Sequence, residues 1–408
     1  LSRESKRALL GLLVVAFDET NSLWSHPPDR PRPKQLTVPA RFLERNLWLS
    51  LEQAVHRWEN LTPVNLLDWQ ASSTQPGSAS AGNGQGGIYV YEGPARELAP
   101  ALKVIHPGAV ITALPRPNQA YWTLSALWTG WFWGRSVAAS FKSVLRRRRY
   151  DWNWHTDALQ AALKSISPHL PLNTPVFAIL AEPEPAFLTA SLVAASGAGF
   201  DLDGIALRGR NEPVQLQWRR QAFLRDEVLQ EELDPQEMKE ALHAWMASRG
   251  EPAPYLHLHA AGLSHLENVH FLHQTNETTT NLQTHIQESL ADPLFQQYSD
   301  GSNVESGLWS LTTWEPEDTH SDKIEIALVR HLQKNPGIPA IDLEYELNST
   351  FHGLLTPSPE LVRAILDSYA VENDMTWSLR QEDTPSLRMA EMEAAARHLE
   401  EIASRLRF

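Results

Sequence analysis

Cysteine is absent from all 408 residues, which removes disulfides, thiolate metal ligands and cysteine nucleophiles and leaves nothing that points to an oxidising compartment. Long hydrophobic runs are missing too: the longest, "ALLGLLVVAF", is about half of what a bilayer-spanning helix needs. No basic-then-apolar leader opens the chain, so a soluble cytoplasmic protein without membrane contact is the expectation. Positive charge is scarce. Lys and Arg total 35 against 49 Asp and Glu, a formal net charge of −14, which excludes a protein that coats nucleic acid by electrostatics alone. No glycine-rich loop sits after a strand and before a helix. "SGAGFDLDG" carries Gly197, Gly199 and Gly204 in the reverse context and reads as a helix C-cap, while "GNGQGG" precedes a strand. No serine stands on a nucleophile elbow. Sequons at Asn60, Asn276 and Asn348 are read as chance occurrences.

What the chain does contain is a change of pattern along its length. Residues 1–62 show apolar residues at helical spacing, interrupted by a proline-rich stretch from Pro27 to Pro39. Residues 63–220 alternate short apolar strands with helices, the mark of a mostly parallel sheet covered by helices; "FDLDGIALRG" and "VQLQWRR" follow one another without a helix and predict an antiparallel hairpin at the sheet edge. Residues 221–322 read as mainly helical. Residues 323–408 give three helical patterns, the third opening on a Ser358–Pro359 cap signal, then "TWSLR", an order that resembles a winged helix. A last amphipathic helix places Leu387, Met392, Ala395, Leu399, Ile402 and Leu406 near one face and is expected to pack on the rest.

Three segments carry candidate chemistry. "GAVITALPRPNQAYW", residues 108–122, reads as a buried strand stopped by Pro115 and Pro117, which presents whatever follows at a strand's carboxyl end, where open α/β sheets bind ligands. "LRRRRYDWNWH" sets Arg146, Arg147, Arg148 and Arg149 beside Tyr150, Trp152 and Trp154, a mixture suited to phosphate contact and base stacking, and equally to a solvated face. The tryptophans between residues 122 and 154 read as core filling, with some free to line a groove. In "HLHAAGLSHLENVHFLHQ", Glu267, His270 and His273 are possible zinc ligands, but the two-histidine i,i+4 motif is lacking and no metal is assigned.

In order, the elements from Gly87 to Arg220 resemble the later half of a class I S-adenosylmethionine-dependent methyltransferase, most of all the adenine-specific DNA methylases. "GAVITALPR" and "YWTLSALWTGWFWG" stand where that family has a strand reading roughly "DAVVTDPPY" and then "Y..LSDFFYVWL"; "FAILAEPEPAFLTASLVAASGAGFDLDGIAL" resembles its next strand, helix and strand. The resemblance covers about a third of the chain and implies a Rossmann-like α/β fold, S-adenosylmethionine as cofactor, DNA as partner and methyl transfer to an exocyclic base amine, adenine N6. Such sites hold the flipped base with an Asp or Asn, a proline carbonyl and a stacking ring. The aligned positions here are Ala113, Leu114, Pro115 and Arg116, so acceptor and ring are both replaced. Asn118 or Gln119 is the substitute acceptor and Tyr121 or Trp122 the substitute ring; the cofactor loop and ribose carboxylate are unassigned, and the start at Leu1 leaves room for an upstream segment to supply them. The alternative is a non-catalytic DNA-associated scaffold or protein-interaction module derived from the same fold. The third helix of the winged-helix-like region has Arg363 as its only cation, which favours a protein partner over DNA for that domain.

Overall fold

The structure is a computed structural model that describes residues 2–23, 36, 44–59, 66–67, 88–91, 97–98, 102, 107–116, 119–145, 151–209, 212–221, 233–274, 279–298, 303–314, 318–383 and 385–406. Helix α1 (Arg3–Thr20) opens on Ser2, whose hydroxyl caps the Ser5 amide, and packs against α2 (Leu47–Glu59), where Arg57 pairs with Glu19 at 2.5 Å. A two-residue parallel pair, β1 (Leu66–Leu67) with β2 (Ile88–Tyr89), precedes β3 (Val110–Ala113). Helix α3 (Gln119–Trp133) is apolar all round, and its Trp128, Trp131 and Phe132 rings gather about Phe17 of α1, with Phe132 stacked at 5.3 Å. Of the tryptophans read as core, Trp128 is buried, but Trp131 and Trp133 are exposed.

The central sheet runs β3, β4 (Pro175–Leu180), β6 (Val214–Arg220), β5 (Phe200–Ala206). Strands β3 and β4 are parallel, and β6 is reversed between β4 and β5, which therefore also run the same way. The β5–β6 hairpin lies at one edge, as the missing helix between them predicts. Helices α4 (Trp152–Ile166) and α5 (Pro185–Ser196) complete the crossovers. Helix α5 is apolar on every side because it is buried on every side, and Gly197 closes it, with Gly199 at φ 84° turning the chain into β5. In one respect the sequence misleads. Val110–Ala113 is not a doubly buried core strand: among the described residues it pairs only with β4, and Ile111 is 79% exposed. Val176, Ala178 and Leu180 face the helices, while Ile111, Phe177 and Ile179 lie on the open face.

The core does not stop near residue 220. Leu180, Phe187, Leu188 and Trp218 share one cluster with Met238, Leu242 and Met246 of α6 (Pro235–Arg249), Leu258 and Leu263 of α7 (Tyr255–Asn268), and Ile286 of α8 (Thr279–Leu290). Gly250 ends α6 at φ 70°, where a Cβ would stand 2.8 Å from the Asp318 carbonyl, so a side chain is excluded twice over. The region expected to be mainly helical also holds an antiparallel sheet, ordered β7 (Ala253–Pro254), β9 (Leu308–Leu311), β8 (Phe295–Tyr298). These strands have two to four residues, too short for a period-2 pattern to register.

A second core joins α9 (His320–Lys334), α10 (Ala340–Thr350) and α11 (Pro359–Tyr369) to a sheet ordered β10 (Ile338–Pro339), β12 (Thr376–Leu379), β11 (Ala370–Asn373). Ser358 caps α11 through the Leu361 amide at 3.1 Å, as its sequence signal predicts. Glu251 Oε2 accepts from both the Ser321 amide (3.1 Å) and hydroxyl (2.6 Å), tying the two cores together with the Arg208–Glu344 ion pair. Helix α12 (Pro385–Leu406) departs from expectation: from Arg388 onward every residue but the half-buried Ala403 is exposed, so its apolar face does not pack on the described residues. Its side chains at Ser386 and Leu387 lie outside the described residues.

Because one core spans sheet and helices, Leu258→Ala is expected to cost about 2–5 kcal/mol and to speed amide exchange in β4 and β6 as well as in α7; Ile324→Ala should speed exchange in α9–α11 alone. Exchange mass spectrometry of both variants checks this.

Candidate functional site

Strands β3 and β4 end side by side, each in a Pro-X-Pro: Pro115-Arg116-Pro117 after one and Pro183-Glu184-Pro185 after the other. The ladder continues one step past β3, where the Leu114 amide donates to the Ile179 carbonyl at 3.0 Å. That bond holds the two turns at the same level. Proline removes an amide donor and fixes φ at Pro115, Pro183 and Pro185, so a stiff backbone leads into Arg116 and brackets Glu184. Arg116 and Glu184 point at one another.

The guanidinium of Arg116 reaches Glu182 Oε2 at 2.5 Å through Nη1 and Glu184 Oε2 at 3.0 Å through Nη2. The Arg116 side chain is only 11% exposed. Glu184 is the N-cap residue of α5 and Pro185 its first helical residue, so this clamp joins two strands and the central buried helix. Leu114 is buried beneath it and Pro115 is exposed above.

Behind Pro115 lies a histidine that sequence reasoning passed over. His155, on α4, is 5% exposed and lies close to the Pro115 backbone. Its buried Nε2 has no hydrogen-bond partner among the described residues. Asp151 caps α4 through the Asn153 amide at 2.9 Å, and Trp152 and Phe187 pack against the His155 ring, with centroids at 5.7 and 5.8 Å. Burial pushes the imidazole pKa down to about 4, the nearby Pro115 backbone opposing it. A second histidine lies deeper. His259 Nε2 stands 2.8 Å from Thr189 Oγ1 on α5 and its Nδ1 3.4 Å from the Tyr255 hydroxyl, and burial takes its pKa to about 3.

The residues expected to carry chemistry are only partly brought together. Ala113, Leu114, Pro115 and Arg116 sit at the strand end, as the proline stop predicts, but Arg116 is consumed by two carboxylates. Asn118, Arg146, Arg147, Arg148, Arg149 and Tyr150 lie outside the described residues, as do the side chains of Gln119 and His273 and the sequons at Asn60 and Asn276. Tyr121 is exposed on α3, where its carbonyl accepts from Ser125. Trp152, expected to stack on a base, is half-buried and stacks on Phe187 at 5.8 Å, because its place on α4 turns it into the main core. Of the zinc candidates, Glu267 is buried and accepts from the Leu202 amide at 3.3 Å, while His270 is exposed at φ 56°. Among the described residues no three histidine or carboxylate side chains group closely enough to hold a metal. No described helix is long and apolar enough to cross a membrane.

Neither the known protein-family models nor the curated proteins contain a match to this chain. The geometry therefore stands alone. An open depression lined by Ala126, Arg135, Ala138, Ala139, Lys142 and Leu145 lies along α3, just before the arginine run in sequence. It is mostly apolar, with two cations on its rim.

The missed residues had a signal. "EPEP" repeats the form of "LPRP" with the opposite charge, and both follow apolar strands that a βαβ arrangement makes neighbours.

Two outcomes follow. Arg116→Met leaves two carboxylates close together without their cation and should cost about 3–5 kcal/mol in urea unfolding; adding Glu182→Gln and Glu184→Gln should recover more than half, because neutral groups need no cation. For pH, the folded state keeps His155 neutral down to about 4 while the unfolded chain takes the proton near 6.5. The unfolded state thus binds more protons inside that window, and stability falls as pH drops through it. His155→Gln removes the titrating group and should flatten the slope by up to about 1.4 kcal/mol per pH unit, measured by urea titrations between pH 7 and 4.5.

Proposed function

We propose that this chain is a methyltransferase-like protein that has kept the strand-and-helix scaffold and given up methyl transfer, and that it works as a non-catalytic, DNA-associated interaction module. The observation that carries this reading is the Arg116 clamp. An exocyclic amine becomes nucleophilic when acceptors strip its protons of water and a ring holds the base. At this strand end, Ala113 offers no side-chain acceptor, and the residue in the ring's place is a guanidinium fixed between Glu182 and Glu184.

The residues do not fit the implied cofactor either. S-adenosylmethionine in such a fold needs a glycine-rich turn after a strand and a carboxylate for the ribose. Among the described residues the strand end offers no glycine turn, and its carboxylates face Arg116.

Support for the scaffold comes from the mixed sheet, with β3, β4 and β5 running one way and β6 reversed, and from helices that bury one face. The winged-helix-like reading of the second core accords with its three helices and closing hairpin. Its third helix is a poor DNA reader: Arg363 pairs with Asp367 at 2.9 Å and Glu372 at 3.4 Å and lies over the Trp377 ring. Protein contact suits that surface better. Any DNA contact falls to the other end, where Arg135 and Lys142 precede the arginine run.

Isothermal calorimetry with S-adenosylmethionine and radioactive methyl labelling of duplex DNA test the reading. No heat and no labelled base are expected; labelled adenine would overturn it. DNA affinity measured against salt concentration tests the partner, with a loss of binding on Arg146→Glu/Arg148→Glu expected.

A further inference from the structure

Helix α12 presents a seam that nothing among the described residues covers. Met392, Ala395, Leu399, Ile402 and Leu406 follow one another at alternating spacings of three and four residues. All five are exposed, Met392 by 69% and Leu399 by 66%. That alternation makes a narrow stripe suited to one partner helix, rather than the wider face a helix lays on a globular core.

We infer that α12 binds α12 of a second copy of this chain, the two helices running antiparallel. This inference is independent of the methyltransferase reading. The seam residues complement themselves in that orientation. About a two-fold axis beside Arg397 and His398, Met392 of one copy meets Ile402 of the other and Ala395 meets Leu399, so that small faces large in the middle layers. Leu406 falls against the aliphatic stem of Arg388, which Asp383 holds through Nη2 at 2.5 Å and Nε at 3.2 Å.

The flanking charges choose the direction. Glu391 and Arg405 lie on the same side of the seam, seven residues to either side of His398. Run antiparallel, Glu391 of each copy meets Arg405 of the other, giving two ion pairs. Run parallel, Glu391 meets Ala396 and neither charge gains a partner across the seam, Glu391 keeping only its 3.6 Å contact with Arg388 of its own helix. On the opposite flank, Ala396 meets its own symmetry mate and Met389 meets Ala403, which lets the backbones approach closely. The Arg388–Asp383 clamp, together with the burial of Asp383, fixes the start of the helix, and from Arg388 onward every residue but the half-buried Ala403 is exposed.

The interface is short, below the ~1,200 Å² of a standard contact, so the test uses the whole chain in sedimentation equilibrium across about 1 to 200 μM, the range a weak contact requires. The wild type is expected to climb from 45.9 kDa towards twice that mass. Leu399→Asp should stay at 45.9 kDa throughout, with its helix content by circular dichroism unchanged. Glu391→Arg and Arg405→Glu alone should each weaken association at least about ten-fold, whereas an equimolar mixture of the two should associate at least as tightly as the wild type. A wild type that stays at one chain mass, a Leu399→Asp variant that still pairs, or a mixture no tighter than the single variants would overturn the inference.

Discussion

One guanidinium between two carboxylates organises the centre of this molecule. Arg116 ends β3; Glu182 and Glu184 end β4 and begin α5, and α5 is the helix around which the main core is built. Groups this poorly hydrated are costly to leave uncompensated. The same three side chains therefore fix the strand ends, the helix start and the crevice in which an open α/β sheet offers a ligand its place. What would be an open edge in an enzyme of this architecture is here an internal bond.

The second support is neutral rather than charged. His155 packs between Trp152 and Phe187 close to the Pro115 backbone, and His259 links α7 to α5 through Thr189. Both rings are buried without a carboxylate partner close enough to favour the proton, so burial dominates and both stay uncharged. His257 and His320 show the same effect near Arg249, at the junction of the two cores, each with its pKa lowered to about 4 mainly by burial. The fold thus draws its pH sensitivity from histidines it keeps dry, and acid loosens the strand end and the junction over one pH range.

Local signals were legible where chemistry is local. Ser358 caps the helix that follows it, Gly197 closes α5, and the missing helix between "FDLDGIALRG" and "VQLQWRR" gives the edge hairpin. The site was half legible. The strand stop at Pro115 was plain, but Glu182 and Glu184 lie 66 and 68 positions downstream of Arg116, and only the parallel pairing of β3 with β4 brings them together. His155 gave no cue because a lone histidine on an amphipathic helix looks the same whether it packs or reacts. An apolar run such as Val110–Leu114 does not reveal how many neighbours its strand has, and α12 shows that an amphipathic stripe does not name its partner.

The most direct measurement is the state of the Arg116 guanidinium in solution, read by nitrogen-15 NMR of the arginine side chains. If both Nη groups are held by carboxylates, rotation about the Nε–Cζ bond is slow and Arg116 gives separate Nη signals that S-adenosylmethionine and DNA leave unmoved. A single averaged Nη signal, or one that shifts when S-adenosylmethionine is added, would contradict the account and return the strand end to the open sites.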